Sequence, residues 1–186
     1  MASCLCCLKC RWGQNSLSSG HVRLEDMPKV KLDTSFMGHD VVIVKSGRRI
    51  CGTGAALSNA PIVQDKAYFE AKLQTTGVWG IGLANRQVNL SEVPLGKDKN
   101  SWVMNHNGVF LHDNEERGRL SLTYDHVELN FFINGKAQNI PFTGIKGTVF
   151  PVLYVDDGAT LDVQFTGFYY PPPEGFEEIM IEKSLL

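Results

Sequence analysis

Residues 127–136 read "VELNFFINGK". Val127, Leu129, Phe131 and Ile133 fall on one face, with Glu128 and Asn130 on the other, the two-residue period of a half-buried strand. Asn134-Gly135 follows, and both residues tolerate positive φ, so the strand is expected to turn back through a two-residue hairpin. The stretch predicts antiparallel β structure, and its neighbours repeat the pattern.

Upstream, Phe69, Ala71 and Leu73 alternate with Tyr68, Glu70 and Lys72. The runs "KVKLD", "DVVIVK", "GVWGIGLA", "SWVM", "GVFLH", "LSLTYD", "VFPVLYV" and "TLDVQF" are separated by turn residues, Asn107-Gly108 and Asp125-His126 among them. No stretch of the body keeps a helical period beyond about two turns, although Gln87 to Leu95 has room for one short turn. The closing "GFEEIMIEKSLL" fits a short helix or a strand. About ten short strands with 18 glycines predict an all-β fold, an antiparallel sandwich. Phe69, Trp79, Trp102, Phe150 and Phe165 read as its core aromatics, and the glycines of "GVWGIG" leave room for a ring or a close strand. The chain divides into a tail (1–27), the β domain (28–170) and a Pro-rich C-terminal extension (171–186).

At 186 residues, 43% hydrophobic and 20% charged, the chain has the make-up of one globular domain with short tails. A net charge of −2 argues against nucleic-acid binding, which needs a basic surface. No run of about 18 apolar residues offers a membrane-spanning helix. The start lacks the pattern of a secretory signal, so the expectation is a cytoplasmic chain, a monomer, in a compartment where disulfides rarely persist.

Two motifs invite catalytic readings. "VVIVKSGRRICGTGAAL" (41–57) carries Gly52 and Gly54, but Leu57 stands where a dinucleotide fingerprint needs its third glycine, and Pro61 forestalls a helix; these read as turn glycines. His106 and His112, near Asp113, Glu115 and Glu116, offer a metal or acid–base pair, yet no fixed ligand spacing supports it, and a hairpin followed by an acidic loop explains the same residues. No nucleophile elbow is present. The expectation is a protein without catalytic residues, cofactor or metal.

The ordered motifs "YFEAKL", "VWGIGLA", "LGKDKNSWVMNHNGVFLH", "LTYDHVELNFFINGK" and "VFPVLYVDDGATLDVQF" closely resemble the SPRY domain over roughly residues 28–170. The resemblance implies a bent, jelly-roll-type sandwich of two antiparallel sheets that catalyses nothing and binds short segments of partner proteins through loops at one end. Carried over by position, the binding surface comprises Arg48 and Arg49, the turn Thr75, Thr76 and Gly77, and Asp156, Asp157 and Gly158. The chain departs from the family pattern in three places. Phe69 replaces the usual Trp, and an acidic pair stands at 156–157 where peptide-binding relatives carry a hydrophobic-aromatic pair. "HDNEERGR" runs straight into "LSLTYD", with Leu120 and Leu122 at inward positions but without the family's longer loop. The acidic pair favours a basic or hydrogen-bonding ligand.

The tail opens "MASCLCCLKCRWG", with Cys4, Cys6, Cys7 and Cys10 in one cluster and Cys51 alone thereafter. Four thiolates within seven residues cannot easily surround one zinc ion, which usually takes two Cys-x₂-Cys pairs. Lys9, Arg11 and Arg23 make the segment basic, no acid precedes Glu25, and Leu5, Leu8 and Trp12 suit a bilayer interface. S-acylation of these cysteines at a cytosolic membrane face is the favoured reading; Ala2 excludes N-myristoylation. The alternative is a soluble cytosolic or nuclear scaffold whose cysteines bind zinc or respond to oxidants.

Overall fold

Ten consecutive residues, Arg49–Ser58, form a strand that belongs to two sheets at once. The computed structural model describes residues 29–116, 129–138 and 141–181. Every regular element among them is a strand: β1 (Leu32–Met37), β2 (Asp40–Val44), β3 (Arg49–Ser58), β4 (Ala67–Tyr68), β5 (Glu70–Thr75), β6 (Val78–Ala84), β7 (Ser101–Asn105), β8 (Phe110–His112), β9 (Glu115–Glu116), β10 (Phe132–Ile133), β11 (Lys136–Ala137), β12 (Phe150–Asp156), β13 (Thr160–Gln164) and β14 (Glu177–Glu178).

The first half of β3 pairs with β2 and β13: Arg49 lies opposite both Val44 and Asp162. Its second half pairs with β1 and β12, Ala56 lying opposite both Met37 and Leu153. One sheet is therefore β2-β3-β13-β5 and the other β1-β3-β12-β6-β7-β8-β9. The changeover falls at Gly52 and Gly54, whose φ values are +91° and +128°. A Cβ on Gly52 would come within 2.2 Å of the Asp40 carbonyl oxygen. These glycines are thus not in a loop, as the sequence reading has them; they bend a continuous strand.

Between the sheets pack Val41, Ile50, Leu153, Val155, Leu161 and Phe165. Beside them a second cluster gathers Trp102, Phe110, Phe131 and Phe142. A third lies on the outer face of the larger sheet, where Val88 and Leu95 of the 85–100 connection cover Leu57, Val152 and Tyr154. β12 is thus buried on both faces, which is why "FPVLYV" is continuously apolar instead of alternating. Removing a Val or Leu side chain there from water contributes about 1.5–3 kcal/mol each.

Expectations and structure meet unevenly. Asn134 and Gly135 make the β10–β11 turn with φ of +50° and +75°, as the hairpin requires. Phe131 is buried, but Ile133 is exposed, because the strand leaves the core just before the turn. Gly80 lies against the ring of Tyr154, 2.2 Å from where its Cβ would be, and a Cβ on Gly82 would stand 1.9 Å from the Trp102 carbonyl oxygen, so these glycines admit a ring and a close strand. The Gln87–Leu95 segment contains turns and no helix. β14 pairs in parallel with β4, and Ile179 beside it enters the main core. The expectations for the tail with Cys4, Cys6, Cys7 and Cys10, for Leu120 and Leu122, and for Val127 lie outside the described residues.

Candidate functional site

The β12–β13 hairpin turns through Asp157 and Gly158, with φ of +49° and +77°, and the Ala159 N–H donates to the Asp156 carbonyl at 3.0 Å. That is the primed turn suited to strand twist, and aspartate is among the few side chains that accept such a φ. Both tip residues are exposed. Alongside runs the β5–β6 connection, Thr75 lying opposite Thr160. Gly77 has φ +150°, and a Cβ on it would stand 2.4 Å from the Asp157 carbonyl oxygen and 2.6 Å from the Ala159 nitrogen. The two loops touch backbone to backbone, a contact that only glycine at 77 allows. Thr75, Thr76, Asp157 and Gly158 thus form one exposed, braced surface. The Asp156 carboxylate accepts from the Thr53 hydroxyl at 3.0 Å, which ties the turn to β3. Thr53 had no marking in the sequence, since its partner is 103 residues away.

The arginines stand elsewhere. Arg49 forks onto Asp162: its Nη2 donates to Oδ2 at 2.8 Å, and its Nε to Oδ1. Lys45 Nζ donates to the same Oδ2 at 3.0 Å. The fork holds the Asp162 carboxyl below its ordinary range and raises the Arg49 guanidinium above its own. Arg48 is exposed, and its side chain has no partner among the described residues. Because Arg49 lies opposite Asp162 and the Val163 N–H donates to the Arg48 carbonyl, both arginines sit toward the far end of β13 from the Asp157 turn. At 3.3 Å per residue the separation is roughly 16–20 Å. The predicted surface therefore divides into a braced pair of loops and, a strand's length away, an arginine pair of which one member is already used in the fold.

The His112 ring stacks on Trp102 at 4.7 Å, with Nδ1 2.9 Å from the Ser101 carbonyl oxygen; His106 is exposed, and its backbone N–H donates to the Trp79 carbonyl.

A doubly paired strand, a bent sandwich and braced loops at its end describe a known architecture. The PSpry domain of TRIM65 superposes with TM-score 0.54 over 74% of this chain and 90% of its own, at 12% identity. Stonustoxin superposes with TM-score 0.55 over 74% of this chain and 27% of its own, at 10% identity. The family model of the SPRY domain matches residues 66–168, and the chain belongs to the SPRY family, whose domains are generally protein–protein interaction modules. Over 98% of both chains it is 53% identical to SPRY domain-containing protein 7 of Homo sapiens, and it is 52% identical to that of Gallus gallus over 99% of this chain and 98% of the relative. The human alignment runs over 196 positions against 186 residues here, so the relative carries residues without a counterpart in this chain.

Proposed function

We propose that the protein is a non-enzymatic adaptor that binds a short segment of a partner protein across the Thr75–Gly77 and Asp156–Gly158 loops. The observation that carries this reading is the brace at Gly77: two exposed loops locked together present polar groups without a further ordering penalty on binding. Asp157 supplies a carboxylate for a basic or donor-rich segment. An extended segment of about six residues would reach from Asp157 along β13 to Arg48, whose guanidinium has no described partner. Arg49 supports this surface through its fork to Asp162.

The informative variant is Asp157→Asn, which removes the charge and keeps a residue that tolerates positive φ. Captured partners should fall by about tenfold for that variant, the effect of losing one charge-assisted hydrogen bond. The melting temperature should stay that of the parent, and Lys136→Ala should capture normally. Identical partner sets from parent and Asp157→Asn would place binding on another face.

The adaptor reading extends to the membrane. Cys4, Cys6, Cys7 and Cys10 with Lys9 and Arg11 are a composition suited to S-acylation at a cytosolic face. Stoichiometric zinc in purified protein would favour the rival, a soluble scaffold with metal-binding or redox-sensitive cysteines.

A further inference from the structure

At the opposite end of β12 from the Asp157 turn, a cleft of about 480 Å³ opens between Asn85–Gln87 and Lys146–Thr148, floored by Phe150. Arg86 is among its lining residues. The guanidinium carbon lies 4.2 Å from the ring centre of Phe36 and 4.8 Å from that of Phe150. Phe36 belongs to β1 and Phe150 to β12, so two strands hold the side chain in place. The backbone beneath is equally fixed. The Asn85 side chain accepts from the Gln87 N–H at 2.9 Å and donates to the Asn100 side-chain oxygen at 3.0 Å, while the Asn85 N–H donates to the Asn100 carbonyl at 2.9 Å.

Among the described residues no carboxylate pairs with Arg86 and no acceptor takes its N–H groups. Among the described residues the lining contains no Asp or Glu; beside Arg86 it offers the Gln87 amide and the Thr148 hydroxyl. Arg49 shows the contrast, since its fork is consumed by Asp162. An arginine whose faces are stacked on rings keeps its edge donors in one plane, the arrangement that meets a carboxylate with two parallel bonds.

From this geometry we propose that the Arg86 cleft is a second recognition site, which takes an aspartate or glutamate side chain of an acidic peptide segment in a partner protein. It is independent of the surface at Asp157: the two lie at opposite ends of β12 and differ in charge, so one partner with a basic and an acidic segment, or two partners, can be held together. Either site can fail its test without affecting the other.

Fluorescence anisotropy with fluorescein-labelled hexaglutamate tests the site, with hexaglutamine as the neutral control. The parent should bind hexaglutamate saturably at 150 mM salt and hexaglutamine not at all. Arg86→Lys keeps the charge and loses the planar fork; it should weaken binding at least about tenfold, and Arg86→Ala should do the same. Lys136→Ala, an exposed charge change elsewhere, should bind as the parent does, which separates the site from bulk electrostatics. Circular dichroism of each variant establishes that it is folded; should Arg86→Ala not fold, Arg86→Lys carries the comparison. Absence of saturable binding by the parent, or equal binding by parent and Arg86→Lys, overturns the proposal. Displacement of the peptide by inorganic phosphate at lower concentrations than by acetate would overturn the assignment to carboxylates.

Discussion

The carboxylate of Glu70 accepts three hydrogen bonds, from the Tyr68 hydroxyl at 3.0 Å and from the backbone N–H groups of Tyr169 and Tyr170 at 2.8 and 2.9 Å. One side chain of the "YFEAKL" strand thereby fastens the segment that leads into the C-terminal extension. Burial, and then bonding to Glu70, pushes the Tyr68 hydroxyl up to about 12. Glu70→Ala should lower stability by about 1–3 kcal/mol in urea unfolding, the usual loss when a charged acceptor is withdrawn. A change below about 0.5 kcal/mol would mean that water replaces it. The Arg49–Asp162 fork predicts a pH effect. Because the Asp162 carboxyl is lowered in the folded state, the fork contributes stability above that group's ordinary value and loses it as pH falls through the lowered one. Asp162→Asn should therefore melt below the parent at pH 7, and the gap should close on acidification below about pH 4. A gap unchanged down to pH 2 would assign the loss to packing. Neither role shows in the sequence, because Arg49 and Asp162 are 113 residues apart and the tyrosine amides about a hundred from Glu70.

At the scale of elements, legibility follows whether a strand's surroundings are regular. Leu129 and Phe131 face inward and Asn130 between them faces water, so alternation finds this part of the 127–136 stretch; it misplaces Ile133, because period alone does not say where a strand leaves the core. β3 escapes the strand pattern altogether: three of its residues, Thr53 between Gly52 and Gly54, break the period where the strand changes sheets. β14 is two residues long and pairs in parallel with β4, which leaves no local signal. Two predictions belong here. Gly158→Ala meets nothing within 4 Å and should cost only the left-handed penalty, about 1–2 kcal/mol. Gly52→Ala adds a Cβ 2.2 Å from a backbone oxygen and should cost clearly more, with loss of the cooperative transition as its extreme. Equal costs would mean that the bend in β3 can relax. Ile179→Ala should cost about 2–5 kcal/mol, since Ile179 is 4% exposed and packs with Ile50 and Phe165. A negligible cost would make the C-terminal strand an appendage.

For the molecule as a whole, family membership was readable because five ordered motifs survive, and their described parts carry the strands β5 to β8, β10, β12 and β13. The layout of the proposed surface was not, since alignment assigns residues to loops without saying how far along a strand those loops lie; hence the distance between Arg48 and Asp157. The tail poses the remaining question at this scale, and it has a quantitative answer. A single acyl chain gives an association constant on the order of 10⁴ M⁻¹, a marginal hold, whereas two chains beside basic residues anchor stably. If the cysteines carry lipid, the quadruple variant with Cys4, Cys6, Cys7 and Cys10 all changed to Ser should be soluble with an unchanged melting temperature. Retaining Cys6 alone should give partial, washable membrane association, and retaining Cys6 with Cys7 should restore most of the parent's. Hydroxylamine should release the parent from membranes by cleaving thioesters. Fractionation of these four proteins decides the matter: partition that does not change with cysteine number, or that hydroxylamine leaves untouched, rules out the acyl tether.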